Sequence, residues 1–212
     1  MALWSLCCVP LMALGTVLYF TFQYRGKKAV SLFWKSFASG MMVLLCGAGL
    51  VMGGKSPWES LLFWGLAACC AADCVLEIHF VSGMAAFGAA HVLFIAWILQ
   101  QGEPVWYSVL VWAALYGITA FLYRKIIPTL GKKLLPFLLY PAVLMAMASL
   151  ALVLPFTVGS RYWTAAVGAL VFAVSDLLVA KGVLVGNSRA CQHFTLALYD
   201  LALLGLALAG GI

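Results

Sequence analysis

The amino-acid sequence predicts an all-α, polytopic membrane protein of eight transmembrane helices, and three observations lead there. Of 212 residues, 66% are hydrophobic and only 8% are charged, where a soluble domain carries about 25% charged residues. Apolar runs of roughly 20 residues, the length needed to cross hydrocarbon, recur along the whole chain. The polar links between them are short, so residues 1–212 read as a single membrane domain with no sizeable part outside the bilayer.

The runs place spans near 3–23, 30–52, 58–79, 83–100, 104–123, 133–155, 160–182 and 190–211. The first has no basic leader or small-residue cleavage site and stays apolar to Tyr24, so it reads as a retained helix and not as a signal peptide. Turn chemistry separates the others: Arg25-Gly26-Lys27-Lys28, Gly53-Gly54-Lys55-Ser56-Pro57, Gln100-Gln101-Gly102-Glu103-Pro104 and Gly186-Asn187-Ser188. The third and fourth spans have so short a link that they should lie antiparallel and adjacent. The seven cysteines fall almost entirely in apolar runs without zinc-type spacing, as small packing residues do.

The formal charge of +6 invites a nucleic-acid reading, but the basic residues sit in loops, where topology accounts for them. Arg25, Lys27, Lys28, Arg124, Lys125, Lys132, Lys133, Lys181 and Arg189 fall in the odd-numbered links, while only Lys55 and Arg161 fall in the even ones. By the positive-inside rule the odd links face the cytoplasm and both termini face outward.

Lys35, Asp73, Glu77, His91, Asp176 and Asp200 lie inside spans, with Tyr199 beside the last. A charge at the centre of a span costs about 2.5–3.5 kcal/mol on insertion scales, so such groups turn to a bundle interior or a water-filled cavity. At about 1.5 Å per residue, Asp73 and Asp176 each sit roughly 9 Å from the cytoplasmic end, Lys35 roughly 8 Å and His91 roughly 12 Å. Lys35 has the stem to reach headgroups, and Glu77 is near enough to the interface to meet water. His91 alone on an apolar face reads first as a core histidine. The short side chains of Asp73 and Asp176 reach neither water nor headgroups from that depth, which makes them the principal candidates for chemistry. They also share an echo: Gly65-x7-Asp73-x9-Gly83 matches Gly168-x7-Asp176-x9-Gly186, implying two four-helix halves in parallel orientation.

Asp73-Cys74-Val75-Leu76, with Phe80-x2-Gly83-x3-Phe87-x3-His91-x2-Phe94, resembles the pattern of the YhhN (lysoplasmalogenase) membrane family. Gly168-Ala169-Leu170-Val171-Phe172-Ala173-Val174-Ser175-Asp176 resembles that family's Gly-Ala-x-x-Phe-x-x-Ser-Asp, and Ser188-Arg189-Ala190 through Tyr199 its final helix. Lys35 falls where the family has a lysine, and Tyr140-Pro141 fits its sixth span. Ala72 and Phe94 stand where the family has glycine and tyrosine.

The resemblance implies hydrolysis of the vinyl ether bond of a lysoplasmalogen to a fatty aldehyde and glycerophosphoethanolamine or glycerophosphocholine. The partners would be the lysophospholipid and the bilayer, with no cofactor, metal or nucleic acid. Such chemistry needs one acid to protonate carbon and one carboxylate to stabilise positive charge and direct water, a division two carboxyl groups achieve in different surroundings. Asp73 and Asp176 would be catalytic, with the assignment of acid and base open between them. Lys35, Glu77, His91, Arg189, Tyr199 and Asp200 would bind substrate or support the acids, Lys35 and Arg189 (with Lys181) holding the phosphate. The tail-free chain suits a bacterial inner membrane, with the site open to the cytoplasmic leaflet, or the endoplasmic reticulum of a eukaryote.

Other readings compete. A small proton-coupled transporter would use the same carboxylates as relay groups. An intramembrane aspartyl protease needs two aspartates on separate helices, but Ala173-Val174-Ser175-Asp176 lacks its Gly-x-Gly-Asp. A metal site from Asp73, Glu77 and a histidine lacks a histidine at ligand spacing.

Overall fold

Inside hydrocarbon no water is available to a backbone amide, so each apolar run must satisfy its own N–H and C=O groups, and a helix does so within one segment. The computed structural model describes residues 2–131 and 134–210. Among them there is no strand, and eight helices are long and apolar enough to cross a membrane. They are α1 (Ala2–Tyr24), α2 (Lys28–Met52), α3 (Leu61–Ile78), α4 (Phe80–Gln101), α5 (Trp106–Tyr123), α6 (Leu134–Thr157), α7 (Trp163–Val185) and α8 (Arg189–Ala209).

Some boundaries differ from those the hydropathy suggests. Pro57–Glu59 forms a separate 3-10 turn, so α3 starts at Leu61. His79 alone links α3 to α4, which begins three residues earlier than expected. Its ring Nδ1 accepts the backbone N–H of Ser82 at 3.2 Å, capping α4 as Ser188 Oγ caps α8 by accepting from Cys191 N. Lys181, expected in a loop, belongs to α7, which runs on to Val185; its long stem lets a charge sit on the exposed face near a helix end. Lys132 and Lys133 lie outside the described residues.

Six helices close a ring: α2 packs on α3, α3 on α4, α4 on α6, α6 on α7, α7 on α8, and α8 on α2. α1 lies outside it against α2 and α8, and α5 lies outside against α6. Exchanging residues of the first four helices for the last four maps this ring onto itself, the arrangement expected of two parallel halves. The glycine echo follows the same relation in part. A Cβ on Gly65 would meet the Phe94 ring of α4 at 2.4 Å, and one on Gly168 would meet the backbone of α8 at 3.0 Å. The third glycines diverge: Gly83 lies inside α4 against the backbone of Leu76, whereas Gly186 ends α7 with φ +91°. Leu45, Leu62, Phe94, Leu203 and Leu206 are fully buried within the ring, while Val109, Leu110, Ile118 and Phe121 of α5 face outward, as lipid-facing residues do.

The α7–α8 seam offers a test of this packing, because a Cβ on Gly205 would lie 2.8 Å from Thr164 O and 2.9 Å from Gly168 Cα. Gly205→Val should therefore lower stability by about 1–3 kcal/mol through overpacking. Gly117→Ala, where nothing lies within 4 Å, should cost nothing. Thermal unfolding of the detergent-purified variants measures both, and equal melting temperatures would contradict the close crossing.

Candidate active site

A cavity of about 360 Å³ opens at one end of the ring. Its polar wall residues all lie within ten positions of the helix ends that flank the odd-numbered links, or in those links themselves. The sequence reading gathered the buried charges at this same end. Asp73, Asp176, Lys35, Glu77, Tyr140 and Tyr199 share the wall with apolar side chains such as Met84, Phe87 and Leu144.

Asp73 is buried, with an ion pair at one oxygen and a hydrogen bond at the other. Lys35 Nζ stands 3.7 Å from its Oδ1, and the Tyr199 hydroxyl donates to Oδ2 at 2.9 Å. The lysine is shared, since Nζ also donates to Glu77 Oε1 at 3.2 Å, the oxygen that accepts from the Tyr19 hydroxyl at 3.2 Å. Asp73 and Glu77, four residues apart on α3, lie on one helix face and so meet a single cation from α2.

Asp176 has different company. The Tyr140 hydroxyl donates to its Oδ2 through a short hydrogen bond. His91 Nε2 lies 3.1 Å from the Tyr140 oxygen and 3.5 Å from the same carboxylate oxygen. His91 Nδ1 is buried without a hydrogen-bond partner. Tyr140 spends its one proton on Asp176, so its oxygen is left to accept from His91 Nε2–H. A directed chain results, His91 N–H to the Tyr140 oxygen and Tyr140 O–H to Asp176. Phe172 divides the two centres: its ring meets His91 edge-on at 4.8 Å and Tyr199 at 5.5 Å, both near perpendicular.

The two halves of the fold hold their aspartates in matching ways with unlike chemistry. Asp73 on α3 is met from α2 by Lys35 and from α8 by Tyr199. Asp176 on α7 is met from α6 by Tyr140 and from α4 by His91. Exchange of the halves carries each set of helices into the other. It exchanges a cation for a phenol and a phenol for an imidazole, so one aspartate has a fixed positive partner and the other does not.

The structure places several of the expected residues away from the cavity. Asp200 does not line the cavity; its Oδ2 accepts from Thr16 Oγ1 of α1 at 2.5 Å. Successive helical residues point about 100° apart, so with Tyr199 turned inward its neighbour must turn elsewhere. Arg189 also lies off the cavity, exposed at the start of α8 with its guanidinium 5.1 Å from the Tyr24 ring centroid, and exposed Lys181 does not line it. The aspartates are not level either. Measured along their helices from the shared end, Asp73 is about 8 Å in and Asp176 about 14 Å, because α7 outruns its expected end. Lys35, Glu77, His91 and Tyr199 do join the aspartates. Tyr19 and Tyr140 were not among the candidates, although a tyrosine hydroxyl in an apolar span must find a partner and is a readable signal for one.

Comparison with family models matches residues 30–210 to the YhhN family. No curated protein and no solved structure matches the chain. The match takes in seven of the helices and leaves out α1, which supplies Tyr19.

Removing the shared cation should strand two carboxylates. Lys35→Met is expected to cost about 3 kcal/mol of stability, seen as a lower melting temperature in detergent, and Asp73→Asn in the same chain should recover part of the loss. Additive effects of the two changes would mean that the pair is not coupled.

Proposed function

The chain belongs to the YhhN family, and on that premise we propose that it hydrolyses the vinyl ether bond of lysoplasmalogens, releasing a fatty aldehyde and a glycerophospho-alcohol. The observation that carries this reading is the pair of aspartates on one cavity wall, held by equivalent helices but with non-equivalent partners. In this reading Asp73, tied to Lys35, is the carboxylate, and Asp176, with no fixed cation, carries the proton. Asp176 Oδ1 has no hydrogen bond among the described residues, which leaves an oxygen to hold that proton toward the cavity.

The steps follow from the bonding. The O–H bond of Asp176 breaks as the alkene π electrons take its proton, forming a C–H bond at the carbon farther from the ether oxygen. The donors on Asp176 stabilise the carboxylate left behind, which is what an acid strong enough to protonate carbon requires. Positive charge spreads over the other alkene carbon and the ether oxygen, and the Asp73 carboxylate stabilises it. Water attacks that carbon and gives its proton to Asp73, producing a hemiacetal. The bond to the glycerol oxygen then breaks, the glycerol oxygen takes the proton from Asp73, and the hemiacetal hydroxyl returns a proton to Asp176. The sum is one water consumed and both aspartates restored.

Depth agrees with these roles. A lysophospholipid entering headgroup outward places the carbon to be protonated deeper than the carbon water attacks, and Asp176 lies deeper than Asp73. The excess of basic residues in the odd-numbered links supports a cavity mouth at the cytoplasmic face. Beyond the cavity, Leu45, Leu62, Phe94 and Leu206 fill the ring, a floor that suits entry and exit at one end.

Purified protein mixed with lysoplasmalogen should release aldehyde, and saturated lysophospholipid should yield none. Asp73→Asn and Asp176→Asn should each cut release by at least about 100-fold, while Asp200→Asn, outside the cavity, should not. Wild-type release by either cavity variant would defeat the reading, and proton-linked solute flux in liposomes without a lipid product would establish the transporter instead.

A further inference from the structure

The polar wall nearest the cavity mouth is graded. On α3, Glu77 stands one residue from the helix end and is 39% exposed, Asp73 lies one turn further in and is buried, and Lys35 Nζ contacts both, so carboxylate, ammonium and carboxylate succeed one another from the buried end to the open one. Glu77 accepts both of its hydrogen bonds, from Lys35 and Tyr19, on Oε1. Its Oε2 has no partner among the described residues. Charges on the wall are also unbalanced: Lys35 is the one basic residue among the described lining residues, against Asp73, Glu77 and Asp176. Even with Asp176 protonated, two carboxylates face a single lysine that already serves both. The mouth is thus built for a cation in addition to Lys35. The cationic residues expected to hold a headgroup, Arg189 and Lys181, line none of it.

Resting on the hydrolase reading above, we propose that Glu77 reads the substrate headgroup by taking its terminal ammonium. The order of groups along a zwitterionic lysophospholipid fits the grading. Its ether bond lies at the aspartates, its phosphate beyond them within reach of Lys35, and its ammonium outermost at Glu77. An ammonium side chain carries three N–H donors; Lys35 donates one to Glu77 and faces Asp73 as an ion pair, which leaves a donor for a phosphate oxygen. Glu77 Oε2 receives the headgroup nitrogen as a charge-assisted partner. Tyr19 and Phe80, on the same wall, add aromatic surface, which suits quaternary as well as primary ammonium. A lipid ending in a bare phosphate would bring its full negative charge to a wall already rich in carboxylate, so discrimination comes partly from repulsion.

Equilibrium binding of non-cleavable 1-alkyl lysophospholipids to the detergent-purified protein tests this apart from catalysis. The ethanolamine lipid should bind about tenfold more tightly than the same lipid ending in phosphate alone, the ratio expected for one charge-assisted hydrogen bond. N-acetylation of the ethanolamine, which removes the charge and leaves the protein unaltered, should abolish the advantage. Glu77→Gln should bring the ethanolamine and phosphate lipids to similar affinity, and Glu77→Asp should keep part of the preference. An N-acetylated lipid that binds as well as the free amine would overturn the assignment, as would a Glu77→Gln protein that weakens toward both lipids equally. Aldehyde release from the matching vinyl ethers is scored separately. A wild type that shows the headgroup preference but releases no aldehyde would refute the hydrolase reading and leave the role of Glu77 standing.

Discussion

Lys35 reaches from α2 to two carboxylates one turn apart on α3, and the polar end of the bundle is organised around that contact. A lone charge so far from water is costly enough that it must be met by another charge or by several hydrogen bonds. One lysine between Asp73 and Glu77 meets the requirement for all three groups. It also draws in neighbours: Tyr19 from α1 completes Glu77, and Tyr199 from α8 completes Asp73. Four helices are thereby fixed relative to one another by side chains that the hydrocarbon would otherwise reject. The cavity exists because these groups are held apart from the apolar packing that fills the rest of the ring. Satisfying the charges and shaping the site are one physical problem here.

The fold was largely legible because its constraint is severe. A segment that crosses hydrocarbon needs about 20 apolar residues and must be helical, so eight runs mean eight helices. Their ends were less legible because polar residues are allowed inside helices near an interface: Lys181 extends α7 and His79 alone separates α3 from α4. In the site, the charges announced themselves by their rarity in an apolar chain. Their pairings did not. Asp73 meets a tyrosine 126 positions away and Asp200 a threonine 184 positions away, separations that no local pattern encodes. Asp200 shows the hazard plainly, since adjacency to Tyr199 in sequence suggested a shared site while helical geometry sends the two side chains to different neighbours. Tyr19 and Tyr140 were hidden for the opposite reason: tyrosine is an ordinary residue in membrane spans, and only its hydroxyl carries the information.

Duplicated architecture with divergent contacts explains how one cavity comes to hold two unlike acids. Were the two halves identical, both aspartates would meet the same partners and share one environment, and neither would be better suited than the other to give or to accept a proton. The ring keeps the positions equivalent, with α2 and α8 serving α3 as α6 and α4 serve α7. Side chains on those helices break the equivalence. A lysine on α2 gives Asp73 a permanent counter-charge, and the tyrosine in the corresponding place on α6 gives Asp176 only a hydrogen bond. His91 then adds a donor through Tyr140, and no lysine or arginine pairs with Asp176 among the described residues. The difference that acid–base chemistry needs is therefore set by which residue each flanking helix presents, while the backbone that places the two carboxyl groups stays common to both halves. Phe172, standing between His91 and Tyr199, keeps the two bonding networks from merging into one. Separate networks are what the proposed cycle requires, in which one carboxyl group changes its protonation while the other keeps its lysine.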